Sequence, residues 1–460
     1  MSLSVALVIG LAVFIIAFMR TEFALWLVLF SMLLSPEFAA SGATLAEKRQ
    51  VMVRSEDFLL LLIGVTWLAK TAMNKELGLV GKTPVNRPIA AYIVVHLVAT
   101  LVGYLTGSVR TTAGFFYVLK YVEYFVVFFM VVNNLRDREQ AWRLVTIAFV
   151  TAAIVSVIGI SQIPSGQRVS APFEGDAGEP NTFGGYLIFM TALALGVALE
   201  TSLLRLRVAC LGLAAIMIPP LMFTLSRASY IAFVPMLIAV GVLTSRRRIV
   251  VNVAVVGLAT LPFLPFIVPS AVTKRVTETF VPHTQADQPR VRVGQVGFDT
   301  STSERLLSYR SALDLWLRKP ILGHGVTGGF FLDAQYPRTL METGIVGLGV
   351  LFWLIWSVLK TGRSSLARVT EPNDRGLIVG FLAGFVGLCF HAIGSNTFII
   401  IRVMEPFWFF AGIVAMLPML QPAVVAANAA AAVRPPGLTN LWLVGPRRLP
   451  PARPWSPRSR

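Results

Sequence analysis

The sequence predicts an all-α, polytopic integral membrane protein with about 12–13 transmembrane helices and one long helical periplasmic loop. Hydrophobic residues make up 55% of the chain and charged residues 14%, whereas soluble globular proteins carry about 25% charged residues. The mean hydropathy is +0.72. Apolar runs of roughly 20 residues, the length that crosses a bilayer as a helix, recur along the chain. They must be helical, because an apolar segment in lipid has to satisfy its own backbone hydrogen bonds.

The membrane domain is predicted to occupy residues 1–420. The first span has neither a basic n-region nor a small-residue cleavage site, so we expect it to stay in the mature chain. The second contains Pro36 and Glu37, and the alternative is twelve spans with one re-entrant or interfacial piece. The predicted spans are 3–19, 23–40, 57–74, 88–107, 115–133, 144–163, 183–200, 206–223, 229–245, 249–268, 342–359, 377–397 and 403–420.

The net charge is +17, and the basic residues that produce it are scattered over the loops. This distribution favours anionic lipid and an anionic substrate as partners rather than nucleic acid. Lys and Arg concentrate in one set of short loops, including residues 246–248, and the positive-inside rule places these loops in the cytoplasm. The long polar stretch 270–341 then faces the periplasm. Residues 421–460 are rich in proline and arginine, so we expect a disordered, basic, cytoplasmic tail.

The long loop contains the run STSERLLSYRSALDLWLRKPILGHG, which predicts an amphipathic helix that ends at Lys319–Pro320. Its predicted apolar side consists of Leu306, Leu307, Ala312, Leu313, Leu315 and Trp316. The glycine-rich turn GHGVTGG follows. Its backbone N–H groups could cradle a phosphate, although a flexible turn would have the same composition.

Ionisable residues in apolar segments are costly and are therefore candidates for function. Arg227 interrupts two apolar helices on the outer side, where it is either a functional group or a snorkelling side chain in a tight turn. Lys120 and Glu123 lie three residues apart and predict a structural ion pair within the membrane. A second outer cluster contains Arg168 and, at a predicted helix start, Asn181.

Several kinds of chemistry lack a sequence signal. Cys210 and Cys389 both lie inside apolar runs, so neither a disulfide framework nor a cysteine-ligated metal is predicted. The four histidines are too dispersed to indicate a metal site. No GxxxxGK[ST], HExxH or GxSxG motif occurs, so nucleotide hydrolysis, zinc proteolysis and serine hydrolysis have no support.

From about Arg168 to Leu359, the chain resembles the bacterial O-antigen ligases and the O-antigen or exopolysaccharide polymerases. The resemblance rests on five short motifs in the same order around one long periplasmic loop. Their residues here are Arg168, Asn181 and Gly184; Ser226 and Arg227; Ser303, Glu304, Arg305 and Tyr309; Pro320, Leu322, Gly323 and Gly325; and Asp333, Tyr336, Glu342, Gly344 and Gly347.

The resemblance implies glycosyl transfer from a polyprenyl-diphosphate-linked sugar chain to an acceptor hydroxyl, on the outer face of the inner membrane. It implies that Arg227 and Arg305 hold the donor diphosphate, and two guanidinium groups could stabilise the leaving group without a metal or another cofactor. The histidine usual in the family, its presumed base, falls on Asp333. An aspartate is ionised at neutral pH and can accept a proton from a sugar hydroxyl. The remaining expected lining is Arg168, Asn181, Arg310, Tyr336 and Arg338.

The departure at Asp333 favours a polymerase of lipid-linked repeat units, for which a chain-length regulator would be a partner. A ligase that moves a finished glycan onto lipid A core or protein is the second hypothesis, and a flippase or other transporter is the third. A further alternative is structural: Asp333 pairs with Arg338 and only fixes the loop.

Overall fold

A computed structural model describes residues 21–35, 37–44, 50–73, 82–172, 178–248, 270–277 and 300–421, with a few short stretches elsewhere. The chain divides into two units, Met1–Pro418 and Met419–Arg460. The predicted tail at 421–460 lies, apart from its first residue, outside the described residues. The predicted spans at 3–19 and 249–268 lie largely outside them as well.

The described part of the chain is predominantly helical, which confirms the predicted fold class. Among the described residues, eight helices are long and apolar enough to cross a membrane, and three shorter helices are also apolar. The helices are α1 (Thr21–Leu34), α2 (Ser55–Met73), α3 (Asn86–Leu105), α4 (Ala113–Asn134), α5 (Arg138–Gln162), α6 (Pro180–Glu200), α7 (Leu204–Phe223), α8 (Arg227–Leu243), α9 (Ser270–Thr277), α10 (Thr300–Trp316), α11 (Gln335–Arg368), α12 (Pro372–His391) and α13 (Ile401–Met416).

The predicted span at 23–40 is only partly a helix. α1 ends at Leu34, and Glu37–Thr44 (β1) pairs antiparallel with Gln50–Arg54 (β2). The prediction failed at its second half because Pro36 has no N–H to continue the helix and restricts the residue before it. The segments Arg292–Val293 (β3) and Val296–Gly297 (β4) form a second antiparallel pair.

Helix α11 begins earlier than the predicted span at 342–359. It is interrupted at Gly344, whose φ of 65° and ψ of −166° are not helical. A φ in this region strongly favours glycine. A Cβ at this position would also overlap the backbone of Ile321, which passes beside it. The residues from Gln335 to the break therefore belong to the site-bearing loop, and those after it to the membrane span.

Helix α6 is the central helix of the bundle, with 89% of its most apolar window buried. It packs against α12 through glycines, because a Cβ at Gly380 would stand 2.6 Å from the Ala192 carbonyl oxygen. Gly196 and Gly376 make the same kind of backbone contact one turn further along. Small residues allow such close approach between membrane helices. The antiparallel pair brings the start of α6 against the end of α12.

Contacts between helix ends define two sides of the bundle. On the far side, Arg138 Nε at the start of α5 donates to Asp374 Oδ2 over 2.8 Å, and Glu200 at the end of α6 accepts from Ser245. On the loop side, the start of α6 meets α8, the loop before α11, and the end of α12. These loop-side ends carry Asn181, Ser226, Asp333 and His391.

Helix α10 crosses the loop side of the bundle. At its middle, Tyr309 Oη donates to the Ile393 carbonyl oxygen over 2.6 Å. Just beyond its end, Lys319 Nζ donates to Thr106 Oγ1 over 2.7 Å, beside the end of α3. The predicted loop helix is thus confirmed, but its apolar side is different. Leu307 and Leu313 are exposed, whereas Tyr309, Ala312 and Leu315 pack with the cluster of Leu332, Ala334 and Met341.

We expect Gly380→Leu to lower the thermal unfolding midpoint in detergent, because the new side chain would push α6 and α12 apart. Overpacking a tight contact costs about 1–3 kcal/mol. The matched control is Gly212→Leu in α7, where a Cβ meets no atom within 4 Å. Equal midpoints for the two variants would contradict the role assigned to this helix contact.

Candidate functional site

Asp333 lies in the loop immediately before α11 and makes two polar contacts on one carboxylate oxygen. Asn181 Nδ2 donates to Asp333 Oδ2 over 3.1 Å. Arg305 Nη2, from α10, stands 3.7 Å from the same oxygen, an ion-pair distance that is longer than a hydrogen bond. The Asp333 side chain is 32% exposed. Three residues that are remote in sequence therefore meet at an accessible carboxylate.

Asn181 is fixed by the start of a neighbouring helix. It follows Pro180 at the first turn of α6, as the sequence predicted. Its Oδ1 accepts a hydrogen bond from Ser226 Oγ over 2.8 Å. Ser226 is also the N-cap of α8, because its Oγ accepts from the backbone N–H of Ser229. One serine thus begins a helix and orients the amide that reaches Asp333.

Arg227 is the first residue of α8, directly after Ser226. The next residue, Ala228, packs on Gly394 in the loop after α12, where an added Cβ would stand 3.2 Å from Ala228 Cβ. The same Cβ would stand 3.8 Å from Arg305 Nη1. Gly394 therefore lies between Arg305 and the helix start that carries Arg227. The two predicted diphosphate-binding arginines are on neighbouring elements of the loop side.

Arg168 supports this region from behind. Its Nε donates to the Thr224 carbonyl oxygen over 2.9 Å, and its Nη2 stands 3.5 Å from the Leu225 carbonyl oxygen. Leu225 has a φ of 49°, a left-handed conformation that is unusual for leucine. The turn that leads into Arg227 is therefore tied down by the Arg168 side chain, which holds backbone carbonyls here.

His391 is a polar residue of this region that sequence reasoning missed. It is the last residue of α12 and has no exposed surface. Its Nε2 lies 3.3 Å from Ser229 Oγ, and its Nδ1 lies 2.8 Å from Thr397 Oγ1. The sequence pattern tests the four histidines only as metal ligands, and so it does not single out His391. The available signal was a histidine at the end of an apolar run, followed closely by the polar stretch GSNT.

The glycine-rich turn after α10 does not offer a phosphate cradle. Each backbone N–H from Gly323 to Gly328 already donates to a protein oxygen. The acceptors, in order, are the carbonyl oxygens of Lys319, Met341 and Glu342, then Thr100 Oγ1, Glu342 Oε1 and the Gly325 carbonyl oxygen. The glycines are needed for close packing instead, since a Cβ at Gly323 would stand 2.6 Å from the Met341 carbonyl oxygen.

Arg338 does not pair with Asp333. Its Nε donates to Glu342 Oε1 over 3.0 Å, and both side chains are buried. The same Glu342 oxygen accepts from the backbone N–H of Thr327, so the pair joins α11 to the glycine-rich turn. The structure thus favours a supporting position for Arg338 over a position in the lining.

The other predicted lining residues and the predicted ion pair are also placed. Tyr336 Oη donates to the Cys389 carbonyl oxygen over 2.7 Å, which joins α11 to α12. Arg310 is exposed on α10.

Burial raises the pKa of Tyr309, with Arg305 opposing the shift, so the phenol stays protonated and able to donate. Lys120 and Glu123 form the predicted structural pair, with a separation of 3.3 Å.

We expect Arg338→Ala to destabilise the protein more than Arg310→Ala, although sequence reasoning placed both arginines in the lining. Removing one partner of a buried ion pair leaves the other charge uncompensated, which costs about 3–5 kcal/mol. Thermal unfolding in detergent measures the difference. Equal unfolding midpoints for the two variants would contradict the supporting role of Arg338 and leave it as a candidate for substrate contact.

The comparison with known proteins converges on the same segment. The family described as O-antigen ligase matches residues 212–352. This range includes Arg227, Arg305 and Asp333, together with α8 and α10. A search of curated proteins found no match. Residues 212–352 of the chain are therefore similar to the O-antigen ligase family, in agreement with the resemblance of the motifs in this segment.

Proposed function

We propose that the protein is a glycan polymerase. It transfers polyprenyl-diphosphate-linked oligosaccharide to an acceptor sugar hydroxyl on the periplasmic face of the bacterial inner membrane. The observation that carries this proposal is the grouping of Asp333, Arg305 and the Arg227 helix start on the loop side, within the segment that matches the O-antigen ligase family. The finer assignments below rest on this grouping and on the chemistry of the residues.

The proposed role of Arg227 and Arg305 is to hold the donor diphosphate. A guanidinium group presents several N–H donors in a plane, which suits the oxygens of a phosphate. Negative charge grows on the diphosphate as it leaves, so fixed positive groups stabilise the transition state more than the ground state. The side chain of Arg305 is 33% exposed, which leaves it accessible to such a ligand.

The proposed role of Asp333 is general base. Both of its observed contacts fall on Oδ2, which leaves Oδ1 to accept the proton of the acceptor hydroxyl. As the proton moves to Oδ1, the hydroxyl oxygen bonds to the anomeric carbon of the donor. The bond from that carbon to the phosphate oxygen breaks, and its electron pair leaves with the polyprenyl diphosphate. Attack opposite to the leaving group inverts the anomeric configuration.

A ligase remains the second candidate, because the matching family is described as O-antigen ligase. Ligases and polymerases would share the donor chemistry and differ in the acceptor. We favour polymerisation because Asp333 occupies the position where the resembled ligases carry histidine. A chain-length regulator would then be an expected partner, alongside the lipid-linked glycan and membrane lipid.

The position of the polar cluster argues against a transporter. Transporters hold substrate near the bilayer midplane, at breaks within their helices. Here Asn181 and Ser226 stand at helix starts, and Asp333 lies in a loop. By the positive-inside rule, the basic loops of the far side support a cytoplasmic location for that side. The cluster would then face the periplasm, where a flipped lipid-linked donor is available.

We expect the purified full-length chain, in liposomes with lipid-linked repeat units as both donor and acceptor, to produce a ladder of longer lipid-linked glycans. Gel separation of the extracted glycans measures this. Transfer only to an added second acceptor, such as lipid A core, would support the ligase instead. Movement of intact donor across the bilayer, with no new glycosidic bond, would support a transporter.

We expect Asp333→Asn to lower kcat by about 10²–10⁴, because the amide cannot accept the proton. Donor binding should persist, since both arginines are unchanged. The matched control is Asp314→Asn, at an exposed aspartate of α10, which should keep wild-type turnover. A well-folded Asp333→Asn protein with wild-type kcat would end the general-base assignment.

A further inference from the structure

We propose that His391 is a positioning residue for Asp333, through a chain of hydrogen bonds that runs in one direction. This inference rests on the proposed role of Asp333 as general base. The chain ends with an N–H delivered to Asp333 Oδ2. Its members, in order of donation, are Thr397, His391, Ser229, Ser226 and Asn181.

The distances describe a continuous path from the buried end of α12 to the accessible carboxylate. Thr397 Oγ1 lies 2.8 Å from His391 Nδ1, and His391 Nε2 lies 3.3 Å from Ser229 Oγ. Ser229 Oγ then lies 2.9 Å from Ser226 Oγ. The last two links, to and from the Asn181 amide, are 2.8 Å and 3.1 Å. His391, Ser229 and Thr397 have no exposed surface.

The chemistry of the end groups fixes the direction of the chain. An ionised carboxylate can only accept, so Asn181 must present its Nδ2 to Asp333 and its Oδ1 to Ser226. The single hydroxyl proton of Ser226 is then used on Asn181, and Ser226 must accept from the Ser229 hydroxyl. Ser229 then has only lone pairs left for His391, so their 3.3 Å contact is a hydrogen bond in the tautomer that carries the proton on Nε2. Neutral His391 then accepts at Nδ1 from the Thr397 hydroxyl.

The glycines after Asn181 provide independent support, because they make the space that this chain needs. A Cβ at Gly184 would overlap Ser229 Oγ. A Cβ at Gly185 would come within 3.2 Å of His391 Cε1, inside the usual contact distance. The segment Asn181-x-x-Gly-Gly thus supplies both the amide that contacts Asp333 and the room for the serine and histidine behind it.

The consequence for the reaction is orientation. A carboxylate at a loop position can rotate, and a base acts only when the reacting oxygen is within hydrogen-bond reach of the proton that it takes. A fixed Asn181 amide holds Oδ2 and so leaves Oδ1 toward the substrate. His391 does not touch the reacting atoms. It keeps Ser229, and through it Ser226 and Asn181, in the donating arrangement.

The test compares two amide replacements of the histidine in the purified full-length chain. In His391→Gln, the longer side chain can place an N–H near the position of imidazole Nε2, where it can still donate to Ser229. In His391→Asn, the amide reaches only the position of Nδ1, so the link to Ser229 is lost. We expect Gln to keep most of kcat and Asn to lose roughly three- to tenfold, the value of a hydrogen bond between neutral groups. Donor KM should be unchanged in both, because the arginines are untouched.

A double-mutant cycle with Asp333→Asn separates positioning from structural support. If His391 acts through the Asp333 carboxylate, His391→Asn should lower kcat little further once that carboxylate is gone. The matched control is His96→Asn, at a buried histidine of α3 whose Nδ1 contacts the Tyr92 carbonyl oxygen. It should leave kcat unchanged. Ser229→Ala breaks the same link without altering the histidine, and we expect it to lower kcat as much as His391→Asn does. It also tests the link if variants at His391 fail to fold.

Three results would overturn the proposal. Equal kcat for His391→Gln and His391→Asn would remove the Nε2 donor from the argument. The same fold-loss from His391→Asn with and without Asp333 would show a purely structural role. Wild-type kcat for Asp333→Asn alone would remove the base and its positioning residue together, whereas a low kcat for Asp333→Asn with wild-type kcat for His391→Asn would overturn only the positioning role.

Discussion

The close contact between α6 and α12 is the constraint on which the candidate site depends. Where Gly380 faces Ala192, backbone meets backbone, and no side chain separates the two helices. The helices are antiparallel, so this contact brings the first turn of α6 beside the last turn of α12. Asn181 and His391 can then both reach the start of α8, where Ser226 and Ser229 lie.

The loops on this side are held by side chains that satisfy backbone groups. The side-chain Oε1 of Gln335 accepts from the Phe398 N–H, and the backbone N–H of Gln335 donates to the carbonyl oxygens of Ala392 and Ser395. Asn396 Nδ2 donates to the Leu332 carbonyl oxygen over 2.8 Å, one residue before Asp333. Buried backbone groups without partners are costly, so these amides fix the loops. The carboxylate is thus presented from a rigid frame.

Two pairs of arginine and carboxylate on this side differ in environment. Arg338 and Glu342 have side chains that are 10% and 6% exposed, whereas those of Arg305 and Asp333 are 33% and 32% exposed. A buried pair must stay together, because separating the charges leaves one of them desolvated and unpaired. A pair that is about one-third exposed and 3.7 Å apart can exchange one partner for a ligand at little cost. Burial therefore indicates a supporting role for the first pair, and the greater exposure of the second pair fits the chemical role proposed for it.

The sequence by itself determined the elements of this protein. Apolar runs predicted the membrane helices, Pro180 predicted the start of α6, and the polar run after residue 300 predicted α10. These features are local, because helical periodicity and the signals that start and end a helix act over a few residues. The family resemblance added Asp333, Arg227 and Arg305 as a group, but it could not give their partners.

Only the tertiary structure decided which of these elements meet. Asn181 and Asp333 are 152 residues apart, and Ser229 and His391 are 162 apart. No local pattern encodes such pairs, because they depend on how the helices pack. Packing also reassigned the glycine-rich turn, whose N–H groups are satisfied by Met341, Glu342 and other neighbours. Packing also decides which face of α10 is buried. That face is the one that contacts Ala334 and Met341, and it differs from the face that the periodicity of the helix predicts.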